Sequence, residues 1–355
     1  FAAKEHAAAT MAATTTTPTA SSSNDNHNKN TKDKPVLEDA PPSWHTRLVV
    51  ALLSSYFLYY APQSLESIDE IATVDTFGRT LFPSILSIGH VIVVRFAIAA
   101  LLLSVNVYHF FYGNLDLPLS YYPGSKLQPA TVRFRGLFVG NIRTALKLNT
   151  SFTKWSVALL GVSFFLNGFI PLAALYLEWG VPRDLLRLAV LAWTMSAPAA
   201  LLVSLVVKYV LWPHSLSQGK GTAAFQKPLI LVCHNANSIA ALLEAGILGG
   251  LPCRLQDFVA APLFGLAYIL FSWYMMNRWT DDWERDGPQF LYPFLDTTLG
   301  TTCTVAILAL FLVLVLCYCL FSLAEYFLTE YLDGGLLANV AMVAVLSLAV
   351  SRFRD

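Results

Sequence analysis

Long apolar runs constrain the fold of this chain more than any other feature of its sequence. The hydrocarbon core of a bilayer is about 30 Å thick, and about 20 apolar helical residues cross it. Inside lipid only helices or closed barrels satisfy the backbone polar groups, and these runs are too long and continuous for barrel strands. Six runs have the required length: residues 85–111, 153–178, 185–211, 228–250, 258–277 and 300–327.

Two further apolar runs, at residues 46–61 and 336–351, are marginal in length. The sequence therefore predicts an all-α fold, a polytopic transmembrane helical bundle of six core spans plus up to two marginal ones. This domain covers residues 44–355, with its core at 85–328. Composition agrees, because only 13% of the residues are charged, against about a quarter in soluble domains.

The first 43 residues differ from the rest. They are rich in Thr, Ser, Asn and Lys and contain little that a core would bury, so we expect a disordered N-terminal tail. The formal net charge is zero, which gives no reason to expect a nucleic-acid partner. The cysteines form no CxxC pair, and we interpret them as small buried hydrophobic residues.

Lysine and arginine positions predict the orientation of the bundle. The loop between the 85–111 and 153–178 spans is basic, so the positive-inside rule makes it cytoplasmic. The alternation of spans then puts the N-terminal tail and the C-terminal arginines on the same side. We expect an integral multi-pass protein of an endomembrane or the plasma membrane. The basic residues of that loop are Lys126, Arg133, Arg135, Arg143, Lys147 and Lys154.

Polar residues inside the spans point to a site in the bundle interior, because an ionisable group within a span costs a few kcal/mol on insertion scales. In "HNANSIAALLEAGI" (234–247), His234 is followed by Asn237 and Glu244, which nearly eclipse on a helix. In the 153–178 span, Thr153, Ser156, Ser163 and Asn167 fall on one stripe. The topology places Thr153 and His234 in the same leaflet.

Arg95 lies deep enough in its span to need a partner, and Glu244 is the candidate that the sequence offers. Structural interpretations compete with functional ones at each of these positions. A lone threonine at a helix start, as Thr153 is, usually acts as a cap or bonds its own backbone, and the pattern alone favours this structural interpretation. His234 with Asn237 also fits a role in holding helices together, and Arg95 and Glu244 fit a structural pair or a pocket lining.

Four stretches together resemble the androgen-induced and androgen-dependent family of multi-pass membrane proteins, the intramembrane threonine hydrolases of fatty acid esters of hydroxy fatty acids. They agree in order and spacing and cover residues 85–328. The family implies a lipid ester substrate and no cofactor or metal. The stretches are "FTKWSVALLGVSFF" (152–165), "HNANSIAALLEAGI" (234–247), "YILFSWYMMNRW" (268–279) and "YPFLD" (292–296).

The resemblance implies that Thr153 is the nucleophile and His234 the general base. A threonine hydroxyl needs a base to accept its proton, and a neutral imidazole does this near physiological pH. Asn237, Ser238 or Ser156 would then supply hydrogen bonds to the oxyanion. The chain departs from the family in a longer loop at 112–152 and in extra apolar segments at both ends.

Two other classes of function stay open at this stage. A proton-coupled transporter or channel would use His90, Arg95, His234 and Glu244, since such residues mark ion paths in many bundles. A non-catalytic multi-pass scaffold would need none of them. Membrane lipids surround the protein in every case. Signatures of soluble hydrolases, such as G-x-S-x-G and H-E-x-x-H, are absent from the sequence.

Overall fold

The computed structural model describes residues 37–217, 222–223, 225–279, 287–331 and 335–354. Residues 1–36 of the predicted disordered tail lie outside these ranges. The described part is an all-α polytopic bundle with one small hairpin. Its α-helices are α1 Trp44–Ile71, α2 Val74–Gly78, α3 Ile88–Tyr112, α4 Ile142–Leu148, α5 Phe152–Pro171, α6 Arg183–Val206, α7 Trp212–Ser217, α8 Pro228–Leu231, α9 Asn237–Gly246, α10 Ala260–Met275, α11 Thr301–Tyr331 and α12 Leu336–Val350.

Short turns of other helix types extend several of these helices. Three π-helical turns follow α5, α6 and α8, so that α8 continues into α9 through the third of them. Three 3₁₀ turns precede α10 and α11. The π turns are Leu172–Tyr176, Val207–Leu211 and Val232–Ala236; the 3₁₀ turns are Leu255–Asp257, Pro293–Leu295 and Thr297–Leu299.

Within the described residues, seven helical segments are long and apolar enough to cross a membrane. All six predicted core spans are among them, and the marginal run at 46–61 is part of a seventh. The run at 336–351 forms a 15-residue helix, about 22 Å long at 1.5 Å per residue. The seven segments are Trp44–Ile71, Ile88–Tyr112, Phe152–Tyr176, Arg183–Ser217, Pro228–Gly246, Leu255–Met275 and Thr301–Leu328.

Hydrogen bonds between helix ends show which of these ends lie together at one end of the bundle. Thr46 near the start of α1 bonds Thr304 near the start of α11, with 2.8 Å between the hydroxyl oxygens. After α12, the Arg352 carbonyl accepts from Asn235 at 2.7 Å. We call this end of the bundle, where α5 begins, the α5 N-terminal end. The α5 C-terminal end holds α2 and the start of α3.

Serine caps define where three of the long helices begin. Ser43, Ser87 and Ser151 precede α1, α3 and α5, and each side chain accepts from the backbone N–H three residues on. Such a cap satisfies one of the free N–H groups at a helix start. The cap at Ser151 places Thr153 and Lys154 in the first turn of α5.

Helix α5 packs most extensively against α3, and its next largest contact is with α6. Two glycines allow the close approach to α3, as small residues do between membrane helices. A Cβ on Gly161 would lie 2.8 Å from Leu103 Cγ, and one on Gly168 would lie 3.4 Å from Arg95 Cβ. Larger side chains at these two positions would therefore push α3 and α5 apart.

The loop at 112–152 contains a β-hairpin that the purely helical prediction missed. Strands β1 Asn114–Leu119 and β2 Ala130–Arg135 are antiparallel, with Asn114 opposite Arg135. Their inner residues, such as Val132 and Phe134, are buried. The alternation of apolar and polar residues in "ATVRFR" (130–135) is the period-2 pattern of a half-buried strand. A prediction based on apolar runs of about 20 residues does not detect a strand pattern of six residues.

Candidate functional site

An apolar cavity of about 70 Å³ lies between α5, α6, α10 and α11 at the α5 N-terminal end. It is partly open, and hydroxyls are the only polar groups on the side chains that line it. These hydroxyls belong to Thr153, Tyr268 and Tyr292. The other lining residues are Phe152, Leu202, Val203, Val206, Val207, Leu211, Gly265, Ile269, Phe294, Leu295, Leu310, Phe311 and Leu314.

The polar end of this cavity is built on the first turn of α5. The Tyr292 hydroxyl lies 3.5 Å from both Thr153 Oγ1 and the Thr153 backbone nitrogen, which is the outer limit of a hydrogen bond. Burial raises the pKa of Tyr292, so this phenol stays protonated and can donate. The Tyr268 hydroxyl is buried and has no hydrogen-bond partner among the described residues. The cavity thus combines apolar walls with the paired hydroxyls of Thr153 and Tyr292.

The segment before α11 holds Tyr292 in place. Asp296 accepts from the Thr298 backbone N–H and hydroxyl at 2.8 and 2.7 Å, and from the hydroxyl of Ser125 in the hairpin loop. The Tyr121 hydroxyl accepts from the Phe290 N–H at 3.1 Å. The motif "YPFLD" (292–296) therefore supplies one cavity residue, Tyr292, and one anchoring carboxylate, Asp296.

Lys154, the residue after Thr153, contacts different helices. Its ammonium lies 2.6 Å from His109 Nδ1 in α3 and 3.5 Å from Cys233 Sγ in the π turn before α9. Lys154 is 8% exposed, and among the described residues no carboxylate lies within ion-pair distance of it. The first turn of α5 thus presents a hydroxyl to the cavity and a buried cation to a separate polar cluster.

His234 lies in the same π turn, Val232–Ala236, at the α5 N-terminal end. Its Nδ1 is buried and has no hydrogen-bond partner among the described residues. Its carbonyl oxygen accepts from Ser204 of α6. Because neighbouring Cys233 contacts Lys154, Thr153 and His234 lie at the same end of the bundle. The structure does not join their side chains by a hydrogen bond, and His234 is not on the cavity lining.

The predicted oxyanion donors are buried but do not line the cavity. Ser238 Oγ lies 2.9 Å from Ser204 Oγ and 2.9 Å from the Asn235 carbonyl oxygen. Ser156 Oγ and Asn237 Nδ2 have no partner among the described residues. The donor that does contact Thr153 is the hydroxyl of Tyr292, which was not among the predicted site residues. The sequence did contain an indication of this residue, because Tyr292 begins the most specific of the four resembling stretches.

Arg95 and Glu244 form the predicted ion pair. Their side chains are fully buried and meet through two bonds, Nη2–Oε1 at 2.7 Å and Nε–Oε2 at 3.0 Å. Arg95 Nη1 also donates to the carbonyls of Phe77 and Asn167, at 2.7 and 2.8 Å. Asn167 lies 14 residues after Thr153, about 20 Å along α5. This saturated pair therefore lies far from the cavity hydroxyls.

Among the residues that the structure describes, no group of three His, Cys, Asp or Glu side chains is placed to hold a metal ion. No protein-family model, no curated protein and no solved structure matches this chain. The candidate site is therefore interpreted from its own geometry and chemistry.

Proposed function

We propose that this protein is an intramembrane hydrolase of lipid esters, with fatty acid esters of hydroxy fatty acids as its substrate class. One observation carries the proposal: Thr153 lines an apolar cavity, and its hydroxyl lies 3.5 Å from the hydroxyl of Tyr292, which lines the same cavity. An acyl chain fits the apolar wall, and an ester carbonyl fits the hydroxyl end. The four-part resemblance supports the same nucleophile.

The proposed reaction has two steps through one covalent intermediate. Thr153 Oγ1 attacks the ester carbonyl carbon, and the bond to the alkoxy oxygen breaks. The hydroxyl proton passes to a base and from it to the departing oxygen, which releases a hydroxy fatty acid. Water then attacks the acyl-threonine, its proton returns to Thr153 through the same base, and a fatty acid leaves.

Tyr292 is assigned as a donor to the oxyanion in both steps. Its phenol is protonated and already contacts the Thr153 hydroxyl. Hydrogen-bond donors aimed at the developing negative charge usually make the largest single contribution to acyl transfer. In this proposal Tyr292 takes the role that Asn237, Ser238 or Ser156 held in the sequence analysis.

His234 is assigned as the base through one bridging water. Its Nδ1 has no partner among the described residues, so it is available to accept a proton. Catalytic hydrogen bonds are often long or absent in ligand-free structures and tighten when substrate binds. Because no direct contact links His234 to Thr153, this role depends on the resemblance more than the role of Thr153 does.

The test is hydrolysis of a fatty acid ester of a hydroxy fatty acid by purified protein in detergent. Thr153→Ala should reduce turnover to the uncatalysed rate. Tyr292→Phe should lower kcat by about 10²–10³, and His234→Ala by about 10²–10⁴. Thr150→Ala is the matched control, since its hydroxyl bonds the Lys147 carbonyl at 2.5 Å and is not on the cavity lining.

Turnover in Thr153→Ala equal to that of the wild type would overturn the proposal. An acyl-threonine trapped on Thr153 and identified by mass spectrometry would support it directly. If Tyr292→Phe lost turnover while His234→Ala kept full turnover, Thr153 would remain the proposed nucleophile and His234 would not be the base.

The transport alternative has less support in the geometry. His90 is exposed and bonds Ser87 at the start of α3, with 2.9 Å between Nδ1 and Oγ. The charges of Arg95 and Glu244 are paired with each other. Between Ser238 and Glu244, the buried residues of α9 are the apolar Ala240, Ala241 and Leu242. The scaffold alternative predicts that the Thr153 and His234 variants leave every measured property unchanged.

A further inference from the structure

The two most deeply buried cations of the described residues differ in the groups that surround them. Arg95 has a bidentate carboxylate and two carbonyl acceptors. Lys154 has a histidine nitrogen and a thiol, at 2.6 and 3.5 Å. Neither group is anionic in its ordinary form, whereas buried charges in proteins are normally paired. An ammonium at Lys154 is therefore incomplete without an anion.

Polar groups around Lys154 also lack partners. Both side-chain atoms of Asn106, one helical turn before His109, are buried and unbonded within the described residues. Asn149 donates to the Asn106 carbonyl at 3.2 Å, but its own Oδ1 is unbonded. His234, the residue after the Lys154 contact Cys233, has an unbonded Nδ1. Buried polar groups are nearly always satisfied, so this cluster has the features of a site for a polar ligand.

We propose that Lys154 binds the carboxylate of a fatty acid, with the amide of Asn106 as a further donor. The choice of a fatty acid rests on the proposed function, because both products and the substrate carry a free carboxylate. Position supports it as well. Thr153 and Lys154 are successive residues, so the acyl cavity and the buried cation lie on two sides of one helical turn.

The charge environment of the site is consistent with an anion. The ionisable groups that approach Lys154 are His109 from α3 and Cys233 and His234 from the turn before α9. No aspartate or glutamate of the described residues forms an ion pair with it. An ionised carboxylate would face one full positive charge and no negative charge, and hydrogen bonds to charged groups are the strong ones.

The experiment compares binding of radiolabelled oleate and oleyl alcohol to purified protein in detergent, by scintillation proximity. The two ligands share a chain and differ in the head group. The wild type should prefer oleate by at least about tenfold. Lys154→Met should lose this preference while it still binds oleyl alcohol, and Lys154→Arg should keep the preference. Lys126→Met is the matched control, since Lys126 is exposed in the hairpin loop, and it should behave as the wild type.

An equal affinity of the wild type for the two ligands would overturn the proposal, as would an oleate preference that persists in Lys154→Met. Acetate that displaces oleate at similar concentrations would overturn the lipid assignment and show a site for small anions only. Oleyl alcohol binding reports that each variant is folded. Oleate is not cleaved, so this result stands whether or not the protein hydrolyses esters.

Discussion

At the scale of single residues, the Arg95–Glu244 pair and Lys154 illustrate two consequences of burying charge. A paired ion in a dry interior is stable only while its partner is present, because the partner's attraction offsets the cost of removing it from water. For an unpaired buried ion, nothing offsets this desolvation free energy until an anionic ligand binds. The two sites therefore predict opposite effects of removing the cation.

Arg95→Met should destabilise the protein by about 3–5 kcal/mol, since it leaves Glu244 buried and unpaired. The readout is the Tm from a thiol-reactive dye in detergent, because four of the five cysteines are buried. Arg187→Met, at the partly exposed pair with Asp69, serves as the control and should change the Tm little. A Tm for Arg95→Met equal to that of Arg187→Met would contradict the structural role of the pair.

Lys154→Met should raise the Tm of the ligand-free protein by a few degrees, because methionine fills a similar volume and needs no counter-ion. The same dye assay measures it, with Lys126→Met as the comparison. Addition of oleate should raise the Tm of the wild type more than that of Lys154→Met, whereas oleyl alcohol should raise the two equally. A lower Tm in ligand-free Lys154→Met would mean that the His109 and Cys233 contacts already compensate the charge.

At the scale of elements, the α3–α5 interface depends on small residues. Gly161→Ala would put a Cβ 2.8 Å from Leu103 Cγ, closer than carbon atoms pack. We expect a loss of about 1–3 kcal/mol, the usual cost of overpacking, and a lower Tm. Gly180→Ala is the control, because a Cβ at Gly180 meets no atom within 4 Å. Equal Tm values for the two variants would argue against close α3–α5 packing.

The π turns are the second feature at this scale. A π turn adds one residue to a helical turn and often occurs at functional sites. Val207 and Leu211, the ends of one such turn, line the cavity. His234 lies in another, Val232–Ala236, which directly precedes α9. The rotation per residue in this turn differs from the 100° of a regular α-helix, so regular helical spacing does not relate the direction of His234 to that of Asn237.

At the scale of the whole molecule, the positive-inside rule predicts that the α5 N-terminal end faces the cytoplasm. Lys126→Cys in the hairpin loop and Gly180→Cys, at the other end between α5 and α6, provide a matched pair. In sealed membranes with only the cytoplasmic face accessible, an impermeant maleimide should label residue 126 and not residue 180. The reverse labelling pattern would invert the orientation, and the fold would stay the same.

The class of the fold and much of its layout could be predicted from the sequence. Apolar runs of about 20 residues have one stable solution in lipid outside barrels, so the six core spans followed from run length alone. The Arg95–Glu244 pair was also predictable, because a buried cation requires a partner and this sequence offers few. Placement of Thr153 and His234 at one end followed from the alternation of spans.

Which side chains contact one another could not be predicted from the sequence, because it depends on how the helices pack in three dimensions. Two residues in the same leaflet can point in different directions, because the direction of each side chain depends on the rotation of its helix and on π turns. A prediction of membrane spans gives neither the helix rotations nor the positions of the π turns. Thus Thr153 contacts Tyr292 from a distant segment, whereas its neighbour Lys154 contacts His109 and Cys233. The cavity likewise exists only where four helices pack imperfectly, since a void is a property of their joint packing and of no single segment.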